Sequence, residues 1–432
     1  MDSKILYEEI IKLQQGNLHL YKEDYLRLKE KEKATEAYYH GEPVPFLYTP
    51  RFFTPEEMDN LHSLVAESVE LFDRVVELYM EKEDFRRLFG FPKKIEELIL
   101  LGSPLPRVFP MARMDIFYRG IDDFEFCEIN TDGSSAMNED RVLSELFFDS
   151  KLYKKLEQDY AIEGFELFDS WVDFIMSTWH KEGSPNVAIM DTDIDNDEFR
   201  RFARHFEARG CGVKLVRPWD MELDQGYLAF EGMRFDYVYR RLVTTDFEDI
   251  YDEVPNLVQG IKEGKTVLVG PIASQIIHNK ILFYVLHHPE VQKYFTEAQQ
   301  DFIKKHFPYT AIVDKKIYED RSFIDNRSNY LLKPMDSYAA RGVYLGSEMS
   351  EELWLETLKK LENQDYLIQA FARLPSIEMI SYTEGIRSFN HMSGLYVYNG
   401  ELKGFLSRAC QGPIIAGPYG GKTLATLSIK EK

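Results

Sequence analysis

Cysteine is scarce in this chain, and what there is does not pair. Cys127, Cys211 and Cys410 are the three cysteines of 432 residues, and no CxxC spacing occurs. That excludes a disulfide framework and a structural zinc site, and it suits a reduced cytoplasm. Long apolar runs are missing too. None approaches the ~20 residues that a transmembrane helix needs, so no membrane partner is expected. The first residues, MDSKILYEEIIKLQQG, lack a signal-peptide pattern. Positive charge is in deficit, with a formal net charge of −21. That argues against a nucleic-acid partner, which would call for a basic footprint. The histidines do not cluster, and neither HExxH nor GxSxG occurs. Those absences remove the zinc-protease and nucleophile-elbow chemistries. No internal repeat and no low-complexity linker is present.

What is there suits a packed globular protein. The hydrophobic fraction is 44%, which is ordinary, and the length predicts two or three domains. Residues 4 to about 39 read as helical and amphipathic. Thr54-Pro-Glu-Glu is a good helix start, predicting a helix to about Glu81, and another follows near Pro92–Leu101. RVFPMARMDIFYRG and IDDFEFCEIN read as two strands joined by a short turn, and 139–180 returns to helix. From Asn186, strands such as NVAIMDTD and KTVLVGP alternate with helices, which predicts a small parallel α/β domain. NYLLKPMDSYAARGVYLG reads as a lid hairpin, and a hairpin with its turn at Asn399-Gly400 follows. The expected division is 1–100, a helical region; 101–185, the acidic hairpin and its helices; 186–275, the parallel α/β unit; and 276–432, lid, short buried strand and C-terminal strands.

The acidic hairpin raises the chemical question. Alternate strand residues share a face, so Glu128 and Asn130 point one way, and Cys127 and Ile129 the other, into a core. With the turn at Ile121 and Asp122, Asp115 lies opposite Glu128 and Arg113 opposite Asn130. Directly opposed side chains are about 5 Å apart at Cβ. Two carboxylates and an amide oxygen so close ask for a cation, and Mg²⁺ bridging a nucleotide fits such oxygen ligands. An ordinary salt-bridged surface hairpin is the competing reading. Lys333 ends an apolar strand before a loop of small residues that includes Gly342. That is a place for phosphate oxygens, although the loop is not a Walker A motif. Lys316 offers a second cation, or one half of a solvated pair with Lys315. YLIQAF, with Gln369, Ala370 and Phe371, is either an adenine-binding strand edge or plain core. Arg408, before the Gly-rich QGPIIAGPYGGK, could clamp a phosphoryl group or close a surface salt bridge. Arg240 and Arg241 bind a carboxylate or position a domain.

Together these pieces resemble the ATP-grasp ligases. Asp115, Glu128 and Asn130 resemble their Mg²⁺ site, and EINTDGSS looks like its glutathione synthetase version. LLKPMDSYAARGVYLG resembles the lid lysine and loop, and YLIQAF the adenine hinge. The E-x-N precedes the lid by about two hundred residues, the order of circularly permuted ATP-grasp proteins typified by the synthetase domain of glutathionylspermidine synthase. The resemblance spans roughly residues 100 to 425. It implies an α/β (α+β) permuted ATP-grasp fold with a helical N-terminal region and a small pre-ATP-grasp-like domain. It further implies ATP and Mg²⁺, two ions, as cofactors. The implied reaction is ATP-dependent amide formation through an acyl phosphate, joining small-molecule or peptide carboxylates to amines. Arg113 and Arg408 would stabilise the moving phosphoryl group, and Lys333, Lys316, Gly342 and the hinge would bind ATP. The alternatives are a non-catalytic ATP-binding protein of the same fold, a ligase for peptides or other polyamines, and a scaffold carrying an acidic hairpin.

Overall fold

The computed structural model describes residues 3–39, 41–337 and 340–432. The N-terminal segment, expected to be helical, forms two helices, Ser3–Gly16 and Leu18–Glu32. Asn17 divides them: its side-chain oxygen accepts the Leu20 amide at 3.3 Å and opens a second helix instead of continuing the first. Thr54 and Glu57 form a capping box, each side chain taking the other's amide, at 3.3 and 2.9 Å. Such a cap stabilises a helix by roughly 1 kcal/mol. The helix it opens runs Pro55–Glu81. Leu61, Leu64, Val65, Phe72, Val75 and Tyr79 fall on one buried stripe. Phe72 meets Phe109 and Phe126 beneath the central sheet.

That central sheet is antiparallel. Its order is Lys422–Leu424, Glu401–Cys410, Gly385–Tyr398, Met111–Gly120 and Asp123–Asn130, with Ser376–Ser381 also paired to Gly385–Tyr398. The Asn399-Gly400 turn has positive φ at both residues, 48° and 91°, the primed turn that matches strand twist. A smaller antiparallel sheet runs Thr310–Ile312, Tyr366–Ala370, Tyr330–Pro334 and Tyr344–Leu345. The helix Glu351–Leu361 backs it, burying Trp354 and Leu358 against Leu332 and Ile368. By strand alternation Leu331, Lys333 and Gln369 face the other side.

Strands Val267–Val269, Tyr237–Arg240, Asn186–Met190 and Gly212–Val216 form a parallel sheet in that order. The 139–180 stretch, expected to be helical throughout, is interrupted. Helices Met137–Phe148, Lys151–Leu156 and Asp169–Ser177 flank a strand, Tyr160–Glu163. Thr426–Glu431 draws that strand into a further sheet by pairing with it, a long-range partner that no local pattern announces. Among the described residues no helix is long and apolar enough to cross a membrane.

Candidate functional site

A cavity of about 660 Å³ opens where the Met111–Asn130 hairpin, the smaller antiparallel sheet and the carboxyl ends of the parallel strands meet. The hairpin turns at Ile121 and Asp122, and its register slips between Tyr118 and Gly120 and slips back between Asp115 and Ile116. Arg113 pairs with Asn130 and Asp115 with Glu128. Beyond Asp115 the pairing slips, Ile116 opposing Phe126, so Cys127 is the extra residue of a β-bulge. Bulges re-aim neighbouring groups and are frequent beside active sites. Cys127 is therefore half-buried on the cavity wall, not packed in the core as expected. Burial and the Glu128 charge push its thiol up to about 12, which keeps it un-ionised and poorly nucleophilic at neutral pH.

Arg113 grips Asp115 with two parallel bonds, Nε to Oδ1 at 2.7 Å and Nη2 to Oδ2 at 3.0 Å, the strong bidentate arrangement. Gly394, on the neighbouring strand, makes room for the pair. A Cβ there would stand 2.5 Å from Asp115 Oδ1 and 2.9 Å from Arg113 Cδ. Asn130 Nδ2 donates to Asp115 Oδ2 at 3.1 Å and to Glu128 Oε1 at 3.4 Å. Burial raises the Asp115 carboxyl above its ordinary range, with Arg113 countering only in part. Burial acts the same way on Glu128, but Lys280, Arg113 and Lys333 outweigh it and hold that carboxyl low. Glu128 is thus ionised, facing two ammonium groups.

Lys280 was not among the sequence candidates, yet it is central. It lies between two short helices, Gln275–His278 and Ile281–His287. Its Nζ is 3.4 Å from Glu128 Oε2 and donates to the Ser337 carbonyl at 2.8 Å. The one signal was a lone charge opening the apolar run KILFYVL. Lys333 Nζ donates to the bulge carbonyl of Cys127 at 3.3 Å and sits 5.1 Å from the Phe283 ring centre. Burial, helped by the Lys280 charge, lowers its pKa to about 8.

Lys316 is not brought to this cavity. Asp314 caps the helix Lys315–Glu319, which turns Ile317 into the core and leaves Lys316 exposed. Gln369 and Phe371 line the cavity, whereas Ala370 does not. The Ala370 and Phe371 amides are spent on the Tyr309 and Asn329 carbonyls, each at 2.8 Å. Gln369 Nε2 is held by Thr310 at 2.8 Å. Gly342 serves the loop's geometry: its φ is +74°, and a Cβ would stand 2.5 Å from the Tyr366 hydroxyl. Of the loop SYAARG, Tyr338 and Ala339 lie outside the described residues. Arg408 lines the cavity from the central sheet, 3.6 Å from Glu139. Pro413, Ile414 and Ile415 of the Gly-rich segment cover the same opening.

The residues fit a divalent cation of the Mg²⁺ kind. Two carboxylates and an amide on adjacent strands match an ion that takes one or two carboxylates and completes its shell with phosphate and water. Among the described residues no three His, Cys, Asp or Glu side chains are grouped for a metal. A cation here would therefore depend on oxygens from elsewhere. The Asn130 nitrogen now faces the carboxylates, so ligation requires the amide to turn over.

At the far end of the cavity the parallel sheet reverses its order between Asn186–Met190 and Tyr237–Arg240. Crevices at such switch points, beyond the carboxyl ends of strands, are where ligands bind. Asp191 and Asp246 face it, and burial raises both carboxyls.

No family model matches the chain, and no curated protein matches it in sequence. Among solved structures, a glutathione synthetase-like effector from Globodera pallida, in its apo form, superposes with a TM-score of 0.60 at 12% identity, covering 94% of this chain and 96% of that one. An ATP-grasp RimK domain protein from Sphaerobacter thermophilus gives a TM-score of 0.30 at 13% identity over 52% of this chain and 91% of that one, too slight a likeness to argue from. The chain therefore has a mixed α/β fold, shared along nearly its whole length with the glutathione synthetase-like effector.

Proposed function

We infer that the protein is an ATP-dependent carboxylate–amine ligase that forms an amide through an acyl phosphate. One observation carries this reading. Two carboxylates and an amide on the hairpin, Asp115, Glu128 and Asn130, converge in one cavity with Lys280 and Lys333 from two other elements. Asp115, Glu128 and Asn130 would hold Mg²⁺, which, bound with ATP, would neutralise charge on the β- and γ-phosphates. Lys333 and Lys280 supply fixed positive charge for phosphate oxygens. Gln369, Phe371 and Leu331 offer an apolar wall with one polar side chain for a purine ring. Arg113 and Arg408 face the position of phosphoryl transfer, where preorganised cations stabilise developing charge. Residues 335–337 and 340–343 and the 411–421 loop would shield an acyl phosphate from water. Asp191 and Asp246 would receive the amine.

The hairpin precedes the lid by about two hundred residues, which supports a permuted arrangement like that of glutathionylspermidine synthase, and peptide or polyamine substrates. The test is phosphate release from Mg·ATP with a panel of carboxylates and amines, glutathione and polyamines included. Release that needs both partners and is abolished in Glu128→Gln supports the ligase. Binding of Mg·ATP with no amine-dependent release supports a protein that only binds nucleotide. No Mg·ATP binding sinks both.

A further inference from the structure

Arg240 ends the strand Tyr237–Arg240, and Arg241 follows it. Both side chains are buried, 1% and 2% exposed. Neighbours in extended backbone point to opposite sides, so the two reach different places. Arg240 Nη2 bonds the wholly buried Asp132 carboxylate. Its other nitrogens go to main-chain oxygens, Nε to Gly270 at 2.6 Å and Nη1 to Leu242 at 2.5 Å. The Thr244 amide and Ser274 Oγ complete the Asp132 shell. Arg241 Nη2 bonds Glu198 at 2.8 Å. The second Glu198 oxygen accepts the Met137 and Asn138 amides at 2.8 and 3.3 Å.

Asp132, the second residue of the 131–136 connector, and Met137, the first of the helix Met137–Phe148, bracket the link from the acidic hairpin. Consecutive arginines of the parallel sheet thus pin both ends. Between those ends, Gly133 adopts φ +62°, and a Cβ there would stand 2.4 Å from the Arg241 carbonyl oxygen. The Ser135 carbonyl accepts Arg113 Nη1 at 3.1 Å and the Tyr396 hydroxyl. A buried ion pair is a poor source of stability because both charges lose water. What this one delivers is a fixed place for the connector.

We propose that the Arg240–Asp132 ion pair is a positioning device: it sets the 131–136 connector and, through the Ser135 carbonyl, holds the Arg113 guanidinium in register against Asp115. The consequence for the reaction rests on the ligase reading. The geometric claim does not.

Asp132→Asn keeps the shape and removes the charge. The Nε–H resonance of Arg113, in protein labelled with ¹⁵N-arginine and identified by its loss in Arg113→Lys, should shift or broaden. The kcat for phosphate release should fall about tenfold or more, with KM for ATP within about twofold. A merely structural role would not separate kcat from KM in this way. An unmoved Arg113 resonance overturns the proposal whatever the rate does, and a moved resonance with unchanged kcat overturns its consequence for the reaction. If Asp132→Asn fails to fold, Arg240→Lys keeps the buried positive charge but cannot reproduce the guanidinium bonds to Asp132 and to the Gly270 and Leu242 carbonyls. It should move the same resonance, and no movement there overturns the proposal. If the wild type releases no phosphate, the ligase reading fails, while the resonance still decides the positioning claim.

Discussion

Gly394→Ala isolates the site from the fold. Gly394 lies in Gly385–Tyr398, paired to Asp115 across the sheet. An added methyl would stand 2.5 Å from Asp115 Oδ1. Ordinary contact begins near 3.4 Å, so the carboxylate must retreat by roughly 0.9 Å. Arg113 Cγ and Cδ, at 3.0 and 2.9 Å, must move with it. Displacing a reacting or ligating group by about 1 Å costs on the order of 100-fold in rate. The stability cost is smaller. Overpacking costs about 1–3 kcal/mol, and replacing a strand glycine by alanine returns about 0.5–1 kcal/mol. A fall in Tm of a few degrees is therefore expected, with a loss of phosphate release on the order of 100-fold and weaker Mg²⁺ dependence. Gly404→Ala is the control. Its methyl would meet Phe165 Cβ at 2.8 Å and Leu167 Cδ2 at 2.9 Å, away from the cavity. It should lower Tm at least as much and keep its turnover. Wild-type turnover in Gly394→Ala, or equal losses in both variants, would refute the assignment of Asp115 and Arg113.

Lys280→Met should weaken ATP binding by about tenfold or more, roughly 1.4 kcal/mol, while Lys316→Met leaves it unchanged; calorimetric titration with a non-hydrolysable analogue would show either result, and the opposite ranking would return Lys316 to the site. Burial leaves Lys333 with a pKa of about 8, against 10.5 ordinarily. Its charge, and with it ATP affinity, should decline as pH rises through about 8, and Lys333→Arg, charged throughout, should flatten that profile. Asp140 accepts the Thr426 amide with one oxygen and, among the described residues, has no partner for the other, and burial raises its pKa to about 8. The folded state therefore holds a proton that the unfolded state releases near 3.8. The stability so conferred is complete below that value and is lost as pH rises through about 8, at up to about 1.4 kcal/mol per unit. Asp140→Asn should remove this slope in denaturant titrations between about pH 5 and 8, and an unchanged slope would place the proton elsewhere.

The hairpin was legible because its information is local. Period-two alternation and a short turn set which side chains oppose which, and Arg113, Asp115, Glu128 and Asn130 follow from counting, since the two slips in register cancel. The Thr54 cap and the Asn399-Gly400 turn are local in the same sense. Lys280 was not legible, because nothing near it in the chain is its partner; it meets Glu128 only when helix and hairpin pack. Lys316 misled for the converse reason: a basic pair beside a strand looks available, and only the cap at Asp314 turns it to solvent. The bulge at Cys127 and the space over Gly394 depend on how strands slip and stack, which alternation alone does not encode.

By itself the sequence determined most of the elements and the pairing of the acidic hairpin's four polar residues. Those depend on contacts a few residues apart, whose geometry the backbone period dictates. The tertiary structure alone decided which cations face Glu128, which glycine makes room for Asp115, and that two adjacent arginines hold the connector behind the hairpin. Those are contacts between residues up to about 280 apart, and only the packing of the sheets selects them.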